Sequence, residues 1–503
     1  MAQILPIEHM CVFSSLSCNF REFTHRLSRP SMPLVQGFGW LKMSSSSSPR
    51  GTLIAAALGF VVVLLDVSAV NVALGALHRD FATAVAGLQW VVNAYTLVFA
   101  ALLLTSGSLG DRLGSRRVFL CGFTLFTLAS AACSVAINLP MLVVARLVEG
   151  LGASLLVPNS LAILKRAFPD KLQRSRAVGW WGAIGGISLA AGPVLGGLLV
   201  THWGWRSIFL INLPIGLVGG YLTLQYVAAD GSRHPRHHDD GLDWPGQLVA
   251  ILSLAAFTAA LTEAGQLGWG SVWVQGGLLL AVVAAAGFIW IESRSRSPML
   301  PLGLFRVSAF TIATISGVIV NFSYYGLIFI FSLFFQIEQQ LSPQQTGMAF
   351  LPMTIVLMGV NVLAGRLISR MGAKRLMVLG LLIAASGYLL LLPVRVDGAY
   401  GWLVVPMLIA SSGIALMVPT MTNVTLSSVD DSRAGIASGV LNSARQVGGL
   451  LGVAVFGYLV RNTGQRAFMQ GMHWSLGMAV ILLLAGSAMC WLRFGTDTEK
   501  QLS

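Results

Sequence analysis

Long apolar runs recur along almost all of this 503-residue chain, and they constrain its fold more than any other feature. A run of about 18 or more apolar residues is long enough to cross the hydrocarbon core of a bilayer as a helix. The strand of a membrane β-barrel is shorter, about 10 residues, and alternates between apolar and polar positions. The pattern therefore predicts an all-α membrane protein with fourteen spans, at about residues 53–77, 88–109, 118–135, 141–164, 177–200, 208–227, 244–264, 274–291, 310–335, 347–368, 376–392, 403–418, 436–460 and 472–491.

The composition and the charge agree with this prediction. Only 10% of the residues are charged and the mean hydropathy is +0.76, which leaves too little polar surface for a water-soluble body. The net charge of +13 comes from topology, because seventeen Lys and Arg residues lie in the loops after the even-numbered runs and five lie in the opposite loops. By the positive-inside rule the first set of loops, and with it both termini, faces the cytoplasm. No nucleic-acid partner is expected, and the five scattered cysteines predict neither a disulfide framework nor a metal site.

An internal repeat divides the chain into two halves. The segment GSLGDRLGSRR at Gly107 has a counterpart, GRLISRMGAKR, that begins at Gly365, and each follows the second run of a six-run block. The matching positions in the second segment are Gly365, Arg370, Gly372, Lys374 and Arg375. We therefore predict a six-helix bundle over 51–230, a linker with two extra transmembrane helices over 231–304, a second six-helix bundle over 305–495 and a cytoplasmic tail over 496–503. Residues 1–50 are expected to be disordered or to be a misassigned extension, with Met43 as the alternative start.

The first of these loop segments resembles the signature of the Major Facilitator Superfamily, and in particular of its fourteen-span drug:proton antiporter branch. The signature G-x-x-x-D-R-x-G-x-R-R is met at Gly107, Asp111, Arg112, Gly114, Arg116 and Arg117. The resemblance covers about residues 53–491 and implies the major facilitator fold, with two pseudo-symmetric six-helix bundles plus two extra helices. It also implies a gating role, in which Asp111 and the arginines form a charge network that breaks when the halves rock. The alternative is that the arginines only set topology.

Two runs in the first half contain charged residues, which are costly inside a bilayer. LDVSAVNVALG in run one resembles the first-span motif of the antiporter branch, with Asp66 as the acid and Asn71 as its polar companion. Asp66 is therefore a candidate proton or cationic-substrate site, with a structural hydrogen-bonding acid as the alternative. In run four, Arg146 and Glu149 lie three residues apart and share one helical face. The resemblance implies that Arg146 assists proton transfer, whereas Glu149, where the family usually has glutamine, either titrates or forms a locked pair with Arg146.

Run five, GWWGAIGGISLAAGPVLGG, resembles the motif that separates exporters from importers in this family. The matching residues are Gly179, Gly192, Pro193, Gly196 and Gly197, with Ser188 at a position that the family normally gives to glycine. Small residues let neighbouring helices approach closely, and a proline inside a helix makes a pliable point. Ordinary small-residue packing is the alternative, because the chain has 55 glycines.

Weaker candidates lie in later runs. Glu263, near the end of run seven, is expected to extend to the membrane interface. Arg445, inside run thirteen, either faces a cytoplasmic vestibule or pairs with an acid of the other half. The aromatic residues of run nine either line a pocket or face lipid; they are Phe322, Tyr324, Tyr325, Phe331, Phe334 and Phe335.

These features together predict a proton-coupled antiporter of the bacterial cytoplasmic (inner) membrane that exports small amphipathic compounds by alternating access. The expected partners are a small-molecule substrate, protons and the lipid bilayer, and the protein is expected to be monomeric. Neither an enzymatic activity nor a cofactor is expected, with protons as the coupling ion, since the chain has no P-loop spacing. A dedicated exporter of a single antibiotic or metabolite is the main alternative. A proton-coupled importer is disfavoured by the motif of run five, and a membrane sensor by the lack of a loop long enough for a soluble domain.

Overall fold

The computed structural model describes residues 48–230, 243–295, 298–396, 398–430, 433–462 and 464–494. Over these residues the chain forms fourteen long helices, which confirms the predicted all-α class. Most of the expected N-terminal extension and the tail at 496–503 lie outside the described residues. The helices are α1 (Pro49–Phe81), α2 (Val85–Leu113), α3 (Ser115–Ser134), α4 (Leu139–Ala167), α5 (Lys171–Trp203), α6 (in two pieces, Ser207–Leu210 and Asn212–Tyr226), α7 (Trp244–Leu267), α8 (Val272–Arg294), α9 (Ser308–Leu333), α10 (Pro343–Met371), α11 (Ala373–Leu390), α12 (Gly401–Ser427), α13 (Ala434–Leu459) and α14 (Gln465–Arg493).

Several helices are longer than the apolar runs that predicted them, because capping groups and prolines set their ends. The hydroxyl of Ser48 accepts a hydrogen bond from the N–H of Gly51 at 3.4 Å, and Pro49 occupies the first position of α1. α10 begins with a complete capping box between Ser342 and Gln345. The added turns carry these helices past the hydrocarbon core into the interfaces.

Thirteen of the helices in the described part of the chain are long and apolar enough to cross a membrane. α13 has a similar length but contains Asn442, Ser443 and Arg445. In the most apolar 18-residue stretch of α9, 83% of the residues are buried, whereas in that of α8 only 17% are. α9 is therefore central and the α7–α8 pair is peripheral. This pair is attached to α2, where Gln247 Nε2 donates a hydrogen bond to the carbonyl oxygen of Ala101 at 2.9 Å.

The remaining helices form two bundles, α1–α6 and α9–α14, that use the same packing pairs. In each bundle the first helix packs on the fifth and the sixth, and the third packs on the fourth and the sixth. The turns that follow the second helix also match, because Gly114 and Gly372 both have a left-handed backbone, with φ of +98° and +77°. The structure therefore has the two pseudo-symmetric six-helix bundles and two extra helices that the resemblance implied.

Along α5 and α10 the two bundles touch at one end of the molecule and separate toward the other. The bundles are also joined by α2 and α13, where Ser443 Oγ donates a hydrogen bond to the carbonyl oxygen of Ala100 at 2.8 Å. We call the end where α1 begins and α2 meets α3 the basic end, and the opposite end, where α1 meets α2, the far end. Near the far end, a Cβ added to Gly197 of α5 would lie 2.5 Å from the carbonyl oxygen of Pro343 in α10. Toward the basic end, a Cβ added to Gly179 of α5 or to Gly365 of α10 would meet nothing within 4 Å. The space between the bundles is therefore closed at the far end and open along α5 and α10 toward the basic end.

Candidate functional site

Three charged side chains meet inside the first bundle, where α1 packs against α4. Nη1 of Arg146 lies 2.6 Å from Oδ2 of Asp66 and 2.8 Å from Oε2 of Glu149. None of the three residues is more than 1% exposed. The helical spacing predicted that Arg146 and Glu149 share a face, and the structure brings Asp66 from another helix to the same guanidinium.

Polar and aromatic groups from three further helices hold this cluster in place. The guanidinium of Arg146 lies over the ring of Tyr95 in α2, 4.3 Å from its centroid. Asn212, the first residue after the break in α6, donates to Asp66 Oδ1 at 3.2 Å and to Ser130 Oγ in α3 at 2.9 Å. These contacts give the carboxylate of Asp66 and the guanidinium a defined position.

The charge of the cluster depends on a single proton, because two carboxylates face one guanidinium. With both acids ionised the cluster has a net charge of about −1, and with one acid protonated it is neutral. Oε1 of Glu149 is buried and has no hydrogen-bond partner in the described structure, so one carboxylate oxygen is left to carry a proton. Burial of a net charge is costly, and the proton-binding role of Asp66 and Glu149 stays a prediction.

The loop between α2 and α3 is organised by Asp230, which lies beyond the end of α6. A Cβ added to Gly114 would overlap the Asp230 carboxylate, so only glycine fits this left-handed turn. Asp230 accepts hydrogen bonds from the backbone N–H groups of Arg116 and Arg117 at 3.3 Å, and from Nη1 of Arg166 at 2.8 Å. The acid thus binds the positive, N-terminal end of α3.

The other predicted members of this loop take a different part. Asp111 is exposed, and it has no ion-pair partner among the described residues. Arg112 is half-buried and makes at least one polar or electrostatic contact. A Cβ added to Gly107 would meet only Pro158, at 3.8 Å. In this conformation Asp230, and not Asp111, is the acid that the loop binds, and the gating role of Asp111 stays a prediction.

The matching loop of the second bundle has the same turn with other contacts. Lys374 Nζ donates to the carbonyl oxygen of Phe494 at 3.0 Å and lies 5.5 Å from the centroid of the Trp491 ring. A Cβ added to Gly372 would meet nothing within 4 Å, in contrast to Gly114. The other predicted positions of this loop are exposed: Gly365, Arg370 and Arg375.

The residues of the predicted exporter motif connect α5 to both bundles. Gly192 and Gly196 pack against α1, where a Cβ at Gly196 would lie 3.0 Å from Ala69. Pro193 and Gly197 pack against the start of α10. Gly179, at the other end of α5, has open space around it. The small residues therefore allow the close contact of α5 with α1 and α10 near the far end.

The far end is closed by hydrogen bonds between α1 and α9, which we call the far-end seal. The N–H of Gly75 donates to Gln336 Oε1 at 3.0 Å, and Gln336 Nε2 donates to Ser332 Oγ at 2.9 Å. The Ser332 hydroxyl in turn donates to the carbonyl oxygen of Asn71. Gln336 lies on a π-helical turn, Phe334–Glu338, that continues α9. Asn71, predicted as a companion of Asp66, thus contributes its backbone to the seal.

A narrow central cleft lies between the bundles, on the basic side of the far-end seal. None of its lining residues is charged, and three of them are aromatic, which suits an amphipathic compound. Of the aromatic residues of α9, Tyr324 and Tyr325 line the cleft, whereas Phe331, Phe334 and Phe335 are fully buried in the core and face neither pocket nor lipid. The lining residues are Val67, Ser68, Asn71, Val72, Leu189, Pro193, Tyr324, Tyr325, Ile328, Phe350 and Thr354.

The two weaker candidates differ in their partners. Glu263 is half-buried and accepts a hydrogen bond from Nε1 of Trp90 in α2 at 2.9 Å. Its position at the membrane interface stays a prediction. Arg445 has no carboxylate within 4.0 Å in the described part of the chain, so the pairing with an acid of the other half is not found there. Its Nη1 donates a hydrogen bond to Oδ1 of Asn442 at 3.4 Å.

Sequence reasoning missed several residues that the structure places at these sites. Asn212 and Ser130 are single polar residues in apolar runs, and their only signal was a polar side chain inside a predicted span. Asp230 follows the sixth run and belongs to no motif. Gln336 follows an aromatic segment in run nine, and only the aromatic residues of that segment indicated a possible site. Each acquires its role through a contact with a distant helix, which periodicity does not reveal.

Comparisons with known proteins agree with the architecture. A family model described as Major Facilitator Superfamily matches residues 56–453. The chain is 38% identical to the methylenomycin A resistance protein of Streptomyces coelicolor, over 88% of this chain and 90% of that protein. It is 39% identical to the multidrug resistance protein Stp of Mycobacterium tuberculosis, over 81% of this chain and 75% of that protein. A crystal structure of a D-xylose-proton symporter has a similar fold, with a TM-score of 0.65 at 14% identity over 90% of this chain and 98% of that chain.

Proposed function

Because the chain belongs to the Major Facilitator Superfamily, we propose that it exports small amphipathic compounds, such as drugs or antibiotics, in exchange for protons by alternating access. Members of this superfamily are transporters rather than enzymes. The names of the two relatives, a methylenomycin A resistance protein and a multidrug resistance protein, support export of toxic compounds. The observation that carries the proposal is the buried cluster of Asp66, Arg146 and Glu149.

The geometry around the cleft supports the transport cycle. Substrate enters the cleft from the basic end, which we assign to the cytoplasm by the positive-inside rule, and leaves when the far-end seal opens. A proton taken up by the cluster from the far side returns to the cytoplasm. The membrane potential supplies about 2.3 kcal/mol per charge per 100 mV, and a pH gradient adds to it, so no nucleotide is required.

Transport in inverted membrane vesicles tests the proton coupling. Asp66→Asn and Arg146→Ala are expected to abolish uptake driven by a pH gradient, because each change removes a charge on which the proton-binding cluster depends. Asp80→Asn is the matched control, since Asp80 lies on the same helix but forms a half-exposed pair with Arg206. If both cluster variants transport like the parent while remaining inserted, proton coupling through this site is wrong.

The range of substrates distinguishes a multidrug pump from a dedicated exporter. A panel of toxic compounds, tested on a deletion strain with and without the gene, is expected to show resistance to several unrelated amphipathic compounds. Protection against only one compound favours the dedicated exporter.

We place the protein, as a monomer with both termini in the cytoplasm, in the bacterial cytoplasmic membrane. An impermeant maleimide is expected to label Asp170→Cys only in inverted vesicles and Ala84→Cys only in intact cells. The opposite pattern contradicts this orientation.

A further inference from the structure

Arg445 is a cation inside a membrane-spanning helix that lacks an acidic partner in the described part of the chain. Its Nη1 has one long hydrogen bond, 3.4 Å, to Asn442 on its own helix, and its Nε is buried with no partner there. Arg146, by contrast, has two carboxylate oxygens within 2.8 Å. Arginines inside membranes are normally paired, because an isolated charge is costly. The hydrogen-bonding capacity of Arg445 is therefore left for a group that these residues do not supply.

Arg445 lies close to the lining of the central cleft. Its aliphatic stem packs on Gly317 of α9. The ring of Tyr325, which lines the cleft, packs against Gly449, one helical turn from Arg445 on α13. Arg445 thus lies one helical turn from the lining of the cleft in the second bundle, whereas the acidic cluster lies inside the first bundle.

The charges around the cleft favour a negative ligand at this point. None of the lining residues is charged, and Asp66 and Glu149 are almost fully buried and already engaged with Arg146. An anion in the cleft would therefore meet the guanidinium of Arg445 without an exposed carboxylate beside it. A guanidinium offers two parallel N–H donors to a carboxylate.

We propose that Arg445 binds a carboxylate of the exported compound while the rings of Tyr324 and Tyr325 contact its apolar part. This assignment rests on the proposed export function and narrows the substrate class to aromatic or amphipathic organic acids.

A matched pair of compounds tests the assignment: naphthalene-2-carboxylate and its methyl ester. Binding of each to the purified full chain in detergent is measured by isothermal titration calorimetry, with the heat of partition into empty micelles subtracted. The parent is expected to bind the acid about tenfold or more tightly than the ester, since only the acid offers a charge-assisted partner. Arg445→Gln is expected to remove this preference and to leave binding of the ester almost unchanged. Arg445→Lys, which keeps the charge but not the planar fork, is expected to retain part of it.

Arg433→Gln is the matched control, because it removes the same charge from an exposed residue at the start of the same helix. It is expected to leave the preference for the acid intact. Thermal melting separates a binding role from a structural one. Removal of an unpaired charge is expected to leave the melting temperature of Arg445→Gln equal to or above that of the parent, whereas a structural arginine lowers it. If the Gln variant fails to fold, that result opposes a binding role, and the Lys variant still reports on the preference.

Four outcomes overturn the inference: equal binding of acid and ester by the parent, no binding of either, an unchanged preference in Arg445→Gln, or an equal loss of both compounds in that variant. The proposed export function is judged separately, by pH-driven uptake of the compound panel in inverted vesicles. Uptake without a preference for the acid overturns only the role of Arg445. Acid-selective binding without any pH-driven transport overturns the proposed export function, but it supports the proposed carboxylate-binding site at Arg445.

Discussion

Arg146 is the residue on which the interior of the first bundle depends most, because it is the only cation in contact with two buried acids among the described residues. If either acid is neutralised, the guanidinium keeps one charged partner. If both are neutralised, it becomes an uncompensated buried charge, which typically costs about 3–5 kcal/mol. The two acids therefore substitute for each other in stability, although they differ in their neighbours.

We therefore expect Asp66→Asn and Glu149→Gln to be strongly coupled. Each single variant keeps one carboxylate for Arg146, so its loss of stability is modest. The double variant is expected to lose about 2 kcal/mol more than the sum of the single variants. The measurement is a double-mutant cycle on the free energy of unfolding in detergent. Additive effects would show that the acids do not share Arg146; Asp80→Asn combined with Glu149→Gln is the additive control.

Gly114 and Gly372 offer a second comparison between single residues. Both have a left-handed backbone, so alanine at either position costs about 1–2 kcal/mol of backbone strain. Only at Gly114 does the added Cβ also overlap Asp230. Gly114→Ala is therefore expected to lower the melting temperature more than Gly372→Ala, and Asp230→Ala is expected to remove the difference. Equal effects in the parent would mean that Asp230 does not hold this turn.

Sequence patterns predicted some of these residues and not others, for a physical reason. Arg146 and Glu149 lie on one turn of one helix, so their shared face follows from helical periodicity alone. The contact of Asp66 with Arg146 joins residues 80 positions apart, and it depends on how α1 packs against α4. Asp230 is a single acid after an apolar run, and only the folded loop shows what it binds.

At the level of elements, α5 has one close-packed end and one open end. The prediction from sequence was that its small residues let helices approach, and this holds at Gly192, Gly196 and Gly197 but not at Gly179. The fourteen helices themselves were predictable, since each needs only length and apolar composition. Their ends were less so, because caps such as Ser48 and Ser342 extend helices beyond the apolar runs.

The two ends of α5 predict different responses to the same substitution. Gly197→Ala is expected to push α5 away from α10 and to slow transport about tenfold, because the Cβ would lie 2.5 Å from a backbone oxygen. Gly179→Ala is expected to leave transport unchanged and stability equal or slightly higher, since alanine is the better helix former. Distances between spin labels at the far ends of α5 and α10 report the separation. An unchanged distance and rate in Gly197→Ala would contradict the close contact.

For the molecule as a whole, the far-end seal biases the population of the two access states. Gln336→Leu removes the acceptor for Gly75 N–H and the donor to Ser332, and is expected to favour the state open at the far end by about 1–2 kcal/mol, roughly 5- to 30-fold in population. Gln339→Leu is the control, because Gln339 donates to Val396 within the second bundle. Spin-label distances across the far end measure the populations. Equal effects of the two variants would mean that the seal does not couple the bundles.

The seal also bears on how readily the protein changes state. Asn71 and Gly75 are four residues apart on α1, so the carbonyl of one and the amide of the other are natural partners within an α-helix. Because α1 is continuous through both residues, these two groups remain paired when α9 withdraws, and Gln336 can stay bonded to Ser332 on its own helix. On α1, the backbone groups of Asn71 and Gly75 are then not left without a partner. The protein can thus alternate between its two access states because neither lies in a deep free-energy minimum.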